Sequence, residues 1–272
     1  AWLLLYLFGA SPVVPKTFLT NRNNFLKPLN DEDLYLENAT CLRMSELGYM
    51  SKAQDDLNIA YNDLDEYISD LKHALTKKHE PYEKIGLKKG DKHIQINDSI
   101  IQIENEYYSS IRPKRVVQSG QRPINVLKNK GIEYIEVRCL DNNPFLRGSI
   151  DKHTAYFIEA YLMVSLIDEN YPFDENRIKE IQDNWQNTVR KGRDPNLLLK
   201  RDGKTISVKD AAEEVFSKIY DYAYALPIEA DDLKKKILRS LDIQKAKLRD
   251  SDLTPSGMIV KEMEEKNISW NE

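Results

Sequence analysis

The feature that narrows the fold most is a change of period near residue 150. Before it, apolar and polar residues alternate in short runs such as "HIQI", "IIQIENEYY" and "GIEYIEVRCLD", and after it apolar residues recur at helical spacing. Strand-like runs gathered in the first part and helices in the second define an α+β layout rather than alternating βαβ units. Two regions follow: residues 1–150 with the sheet, and residues 151–272 as a mostly helical part packed on it.

Individual segments sharpen this outline. The apolar run "AWLLLYLF" stops at Gly9, with Pro12 and Pro15 beyond, which predicts the last turns of a buried helix. A loop-rich stretch follows to about residue 38, and "TCLRMSELGY" reads as a short extended segment ending at Gly48. Leu64, Ile68, Leu71 and Leu75 form one stripe of an amphipathic helix. "IIQIENEYY" reads as a strand with Gln102, Glu104, Glu106 and Tyr108 on one face, and "IRPKRV" as its exit. Residues Pro123 to Lys130 predict a short helix closed by Gly131, which launches a strand over 132–139. Beyond Asp151, "TAYFIEAYLMVSLI" is apolar nearly all round and predicts a buried core helix. Three helices are expected at about 174–190, 208–225 and 231–248, and a last one is announced by Thr254 as cap and Pro255 at its first position.

Composition excludes several classes. The chain has 272 residues, 41% hydrophobic and 31% charged, enough for one large or two ordinary domains with a proper core. A net charge of −4 gives no field for a nucleic-acid or anionic-membrane partner. Two cysteines, Cys41 and Cys139, sit in apolar contexts as small buried side chains, which suits a reducing, cytoplasmic setting. There is no secretory signal and no run of about 20 apolar residues to span a bilayer. The first residue is alanine and "AWLLLYLF" opens at once as a core element, so a piece of a longer protein is expected; cutting there should expose an apolar face and promote aggregation.

Chemistry-bearing motifs are few. No GxGxxG or GxxxxGK[ST] occurs, so any nucleotide must bind on a sheet. His73, His79, His93 and His153 lack zinc spacing. What remains is the charged strand faces. In "GIEYIEVRCLD", Tyr134, Glu136 and Arg138 point one way, while Ile135, Val137 and Cys139 point the other, toward a core. Two readings stand: a solvated sheet face with a weak ion pair, or a cleft where the carboxylate holds a metal and the guanidinium holds phosphate. "IENEYYSSIRPKRV" adds Arg112, Lys114 and Arg115, which read either as a solvated turn or as candidate phosphate or nucleotide groups.

Four motifs in order, "YLFGASP", "LRMSELGYMSKAQ", "IQIENEYYSSIRPKR" and "GIEYIEVRCLDNNPF", together resemble the proteobacterial form of glutamate–cysteine ligase over about residues 6–146, with a looser likeness beyond 150. The resemblance implies a glutamine-synthetase-like fold, a curved antiparallel sheet forming a funnel with magnesium ions at its throat. It implies ATP-dependent joining of the side-chain carboxylate of L-glutamate to the amine of L-cysteine through a γ-glutamyl phosphate, the first step of glutathione biosynthesis. On this resemblance Glu136 is a metal ligand, Arg138 meets the transferring phosphoryl group, and Arg43, Tyr49 and Tyr108 form the cysteine pocket; otherwise Arg43 is a surface charge and the two tyrosines are ordinary amphipathic core residues. ATP and Mg2+ are the implied cofactors, glutamate and cysteine the partners, and a monomer the expected state. The family's other metal-binding glutamates and its metal-site histidine lie in an N-terminal half that this chain lacks, so the chain is expected to be part of one larger catalytic domain and inactive alone. Alternatives are another carboxylate–amine ligase of the same superfamily, the front part of a bifunctional glutathione synthetase, or a non-catalytic interaction module.

Overall fold

The computed structural model describes residues 1–19, 25–54, 57–169 and 172–271. In chain order the elements are helix α1 (Trp2–Phe8), strands β1 (Val13–Pro15), β2 (Lys27–Pro28) and β3 (Asp33–Tyr35), and helices α2 (Leu64–Thr76) and α3 (Glu80–Ile85). Strands β4 (Lys88–Lys89), β5 (Lys92–His93) and β6 (Ile111–Lys114), helix α4 (Pro123–Lys130) and strand β7 (Tyr134–Val137) follow. The remainder comprises helices α5 (Lys152–Ile167) and α6 (Glu175–Lys191), strands β8 (Leu198–Arg201) and β9 (Lys204–Ser207), and helices α7 (Val208–Ala225), α8 (Asp231–Arg249) and α9 (Pro255–Lys266). The layout is α+β, and the sheets within the described residues are small: β1-β3-β2, β4-β5, β6-β7 and β8-β9, all antiparallel.

The chain packs as two compact units whose division does not follow residue 150. The first comprises Ala1–Leu47, Cys139–Tyr171 and Lys179–Glu272, and the second Gly48–Arg138 with Pro172–Ile178.

In the first unit the opening apolar run is a core helix. Leu3, Leu4, Leu5 and Leu7 are at most 1% exposed. Phe8 meets Phe157 of α5 edge-on at 5.8 Å, and Phe157 meets Phe216 of α7 at 5.7 Å. The expectation that "AWLLLYLF" is left as an open apolar face is therefore corrected: it packs on helices of this same chain. Residues 13–35, expected as loop, contain the three strands of the β1-β3-β2 sheet, each too short to show a period. "TCLRMSELGY" is not extended but turns through a 3-10 helix at Leu42–Met44, anchored by Trp185 Nε1 donating to the Met44 carbonyl. Helix α5 buries only the stripe Phe157, Ala160 and Val164; Leu166 and Ile167 are 73% and 67% exposed, so it is not buried all round. Thr254 caps α9 as its sequence announces, its Oγ1 accepting from Gly257 N.

In the second unit the stripe of α2 holds as expected, with Ile68 and Leu71 packed on Ile101, Ile124 and Leu127. The strand expected over "IIQIENEYY" is absent; a 3-10 turn occupies Glu104–Glu106 instead. Side chains explain the difference by satisfying the backbone locally. Glu106 Oε2 accepts from Gln102 N, Gln102 Oε1 accepts from Ile96 N, and the Gln54 amide takes the Glu106 carbonyl and Tyr108 N, so side chains occupy groups that a partner strand would use. Of "HIQI" only His93 lies in a strand, opposite Lys88. The strand lies in "IRPK", read from sequence as an exit.

Among the described residues, no helix is long and apolar enough to cross a membrane.

Candidate functional site

The β6–β7 ladder builds the charged face. Gly131, at φ +75, ends α4 through its N–H on the Leu127 carbonyl and opens β7, a left-handed position that an L side chain adopts only with strain. Antiparallel register sets Arg112 opposite Glu136 and Lys114 opposite Tyr134. Directly opposed residues share a face and neighbours alternate. One face therefore carries Arg112, Lys114, Tyr134 and Glu136, and the other Ile111, Pro113, Ile135 and Val137. Arg138, two residues past Glu136, continues the charged face, and its N–H extends the ladder onto the Ser110 carbonyl at 2.8 Å. The apolar face is not sealed on a core within this unit, since Ile135 is 43% exposed.

Three cations thus surround one carboxylate. Lys114 Nζ lies 3.6 Å from Glu136 Oε2. Arg112 is 5% exposed and donates through Nη2 to the Asn105 carbonyl at 3.0 Å. Burial first, then the neighbouring charge of Arg138, pull its pKa below the ordinary guanidinium value. Two buried atoms here have no hydrogen-bond partner: the donor Arg112 Nε and the acceptor Glu136 Oε2. Such atoms cost stability unless something completes them. A phosphate oxygen suits the first and a hard cation the second. Arg115 lies at the next position along the alternation and is spent on structure, donating from Nε to the Gly131 carbonyl at 2.7 Å and pairing with Glu133. The carboxylates of "IENEYY" are also spent locally: Glu104 on Arg122 Nε and Ile124 N, Glu106 on Gln102 N.

Beside this face two phenols meet. Tyr49 and Tyr108 contact edge to face at 5.5 Å and 81°, and the Arg138 guanidinium stands 5.3 Å from the centre of the Tyr49 ring. Gln54, quoted within "LRMSELGYMSKAQ" but given no role from sequence, donates to the Glu106 carbonyl at 2.8 Å and accepts from Tyr108 N at 3.0 Å. Its signal was invisible because the partners lie 52 and 54 residues away.

Arg43 belongs to the first unit and is no bare surface charge. Its Nε pairs with Asp141 Oδ1 at 2.5 Å, and its Nη2 donates to the Leu140 carbonyl. Asp141 Oδ2 in turn accepts from Ala10 N and Ser11 Oγ, which ties "GASP" to "LDNN". Cys41 and Cys139 are both buried free thiols, and burial pushes each above the usual thiol range. Among the described residues no cluster of three or more His, Cys, Asp or Glu is placed to hold a metal.

The β6–β7 ladder thus gathers cations beside one carboxylate, with two phenols adjoining. The glutamate–cysteine ligase family model matches residues 1–188, and the chain belongs to that family. It is 43% identical over 273 residues to a glutamate–cysteine ligase of Pseudomonas fluorescens, covering 100% of this chain and 51% of the relative, and 41% identical over 272 residues to one of Janthinobacterium sp., with the same coverage. The structure matches that of a Francisella tularensis glutamate–cysteine ligase in complex with AMP at a TM-score of 0.87 and 42% identity, over 96% of this chain and 51% of the other. A bifunctional glutathione synthetase of Pasteurella multocida shares the fold, with a TM-score of 0.62 at 16% identity over 98% of this chain and 27% of that one. The chain thus spans about half the length of the glutamate–cysteine ligases it matches.

Proposed function

We propose that this chain carries the β6–β7 part of the site of an ATP-dependent ligase that joins the γ-carboxylate of L-glutamate to the amine of L-cysteine through a γ-glutamyl phosphate. The observation that carries the reading is the face on which Arg112, Lys114 and Arg138 gather around Glu136, with unsatisfied buried donor and acceptor atoms on it. Family membership supplies the substrates. Arg138 is the group that meets the transferring phosphoryl: a planar, permanently charged fork suits two phosphate oxygens. Arg112 and Lys114 add positive potential, and Arg115 acts through Gly131 by holding the start of β7.

Magnesium supplies charge neutralisation on the phosphates when bound. Glu136 fits one ligand position, and a magnesium ion is commonly held by one or two carboxylates plus water and phosphate oxygens. The remaining protein ligands are assigned to the half of the relatives that this chain does not span. Tyr49 and Tyr108 wall the cysteine side chain, and a role for Arg43 toward the α-carboxylate of cysteine rests on family membership alone. A cytoplasmic, monomeric parent completes the reading.

Coupled measurement of ADP release with glutamate and cysteine tests it. The 272-residue chain alone should not turn over, whereas the full-length protein that carries these residues should. Turnover by the chain alone, or ADP release from the full-length protein that does not depend on cysteine, would sink the proposal.

A further inference from the structure

We propose that Gln54 is a specificity-positioning residue: two hydrogen bonds from one side-chain amide fix the segment bearing Tyr108, and thereby set the gap between the Tyr49 and Tyr108 rings. That gap decides which amino acid enters: a small, uncharged side chain on an α-amine. The inference rests on the cysteine-binding role proposed for the two phenols.

The geometry is that of a missing strand partner. Residues 106–108 belong to no sheet, yet the Glu106 carbonyl and the Tyr108 N–H lie on one edge, two residues apart, as a ladder would present them. Gln54 meets both, its Nε2 on the carbonyl at 2.8 Å and its Oε1 on the N–H at 3.0 Å. The backbone of Gln54 is itself fixed, its N–H donating to the Ser51 carbonyl and its carbonyl accepting from Leu57 N. The turn that presents this amide, Lys52–Gln54, lies just past Tyr49, so one residue links the loops that carry both rings.

Neighbouring contacts decide where Tyr108 goes once this edge is held. Arg112 grips the Asn105 carbonyl, and Tyr107 packs inward against the core around α2. Alternation then sends Tyr108 outward, where it meets Tyr49 edge to face at 5.5 Å. Tyr49 is in turn faced by Arg138. Only glutamine serves here. Glutamate would set a second oxygen against the Glu106 carbonyl, and asparagine is one methylene too short to reach both groups.

The test uses the full-length protein with Gln54→Ala and Gln54→Glu, and Lys52→Ala as a control on an exposed position of the same turn. Two neutral hydrogen bonds, at roughly a factor of 5 each, predict a rise in the KM for cysteine of about 5- to 30-fold in both Gln54 variants. The KM values for glutamate and ATP should stay within about twofold of the parent, and Lys52→Ala should match the parent throughout. Hydrogen exchange at the Tyr108 amide, which needs no substrate, should accelerate in Gln54→Ala and not in Lys52→Ala. An unchanged cysteine KM, or a proportional rise for all three substrates, overturns the assignment. A parent that does not ligate cysteine overturns the function with it, while faster exchange at Tyr108 would still separate that failure from an error in the geometry.

Discussion

At the scale of single residues, the proposed function gives different tasks to groups two positions apart on the ladder. If Arg138 meets the transferring phosphoryl as proposed, Arg138→Ala in the full-length protein should lower kcat by about 10² to 10³ with little change in KM. Glu136→Gln should instead shift the magnesium requirement upward, read from rate against magnesium concentration. Unchanged kcat in the arginine variant would reassign it to substrate positioning. Arg43 calls for a different design. Its partner Asp141 has a side chain only 5% exposed, so Arg43→Ala strands a buried carboxylate and should cost about 3 kcal/mol of stability in urea unfolding. Arg43→Lys, which keeps the charge, is the variant to assay kinetically; a raised KM for cysteine alone supports the carboxylate role. From sequence, alternation alone put Glu136 and Arg138 on one face, and the family resemblance gave them roles. That Arg112 stands opposite Glu136 could not be read, because register belongs to two strands and only one had been recognised.

At the scale of elements, local signals and tertiary ones separate cleanly. Helices α2, α4 and α6 to α9 were legible because their stripes or caps are written within one turn of the chain: Asp63 accepting from Glu66 N, Thr254 from Gly257 N, Gly131 closing α4. The β8–β9 hairpin was missed although Asp202 and Gly203 give the local cue, both at positive φ as a two-residue hairpin turn demands. Residues 101–109 failed for the opposite reason. Their alternation is real, but Gln and Glu side chains took the backbone groups that a partner strand needed. The start of α9 offers a test of cap packing. A Cβ on Gly257 would overlap the Ser251 carbonyl oxygen and approach Asp252 Cα to 2.7 Å. Gly257→Ala should therefore destabilise by about 1–3 kcal/mol, although alanine is the better helix former, and Thr254→Ala by about 1 kcal/mol. Denaturant midpoints check both; a stabilised Gly257→Ala would show that the turn before α9 yields easily.

At the scale of the whole molecule, a charge sits where the first unit closes. Lys247 of α8 donates to the Leu7 carbonyl at the end of α1 and lies over the Phe8 ring at 4.8 Å, and burial pulls its pKa from 10.5 down to about 8. Between those values the unfolded chain holds the proton and the folded chain does not, so folding stability should rise as pH climbs from about 8 to 10.5. Lys247→Met should flatten that slope in urea unfolding measured across this range; identical slopes would show that the ammonium is well solvated. The division into units was not legible because the first is assembled from separated stretches of chain. The burial of α1 by distant helices has a consequence for biosynthesis. On the ribosome, residues 48–138 all emerge before the rest of the first unit, so the inserted unit can begin to gather while α1 waits. Tyr6 finds its acceptor at residue 247, and Ala10 and Val13 their apolar neighbours at 259–263. At roughly 5 to 20 residues per second, that wait is on the order of ten seconds to a minute. Until those residues are made, the contacts that α8 and α9 contribute around "WLLLYLF" cannot form, which marks it as a stretch of this chain that a ribosome-associated chaperone would hold.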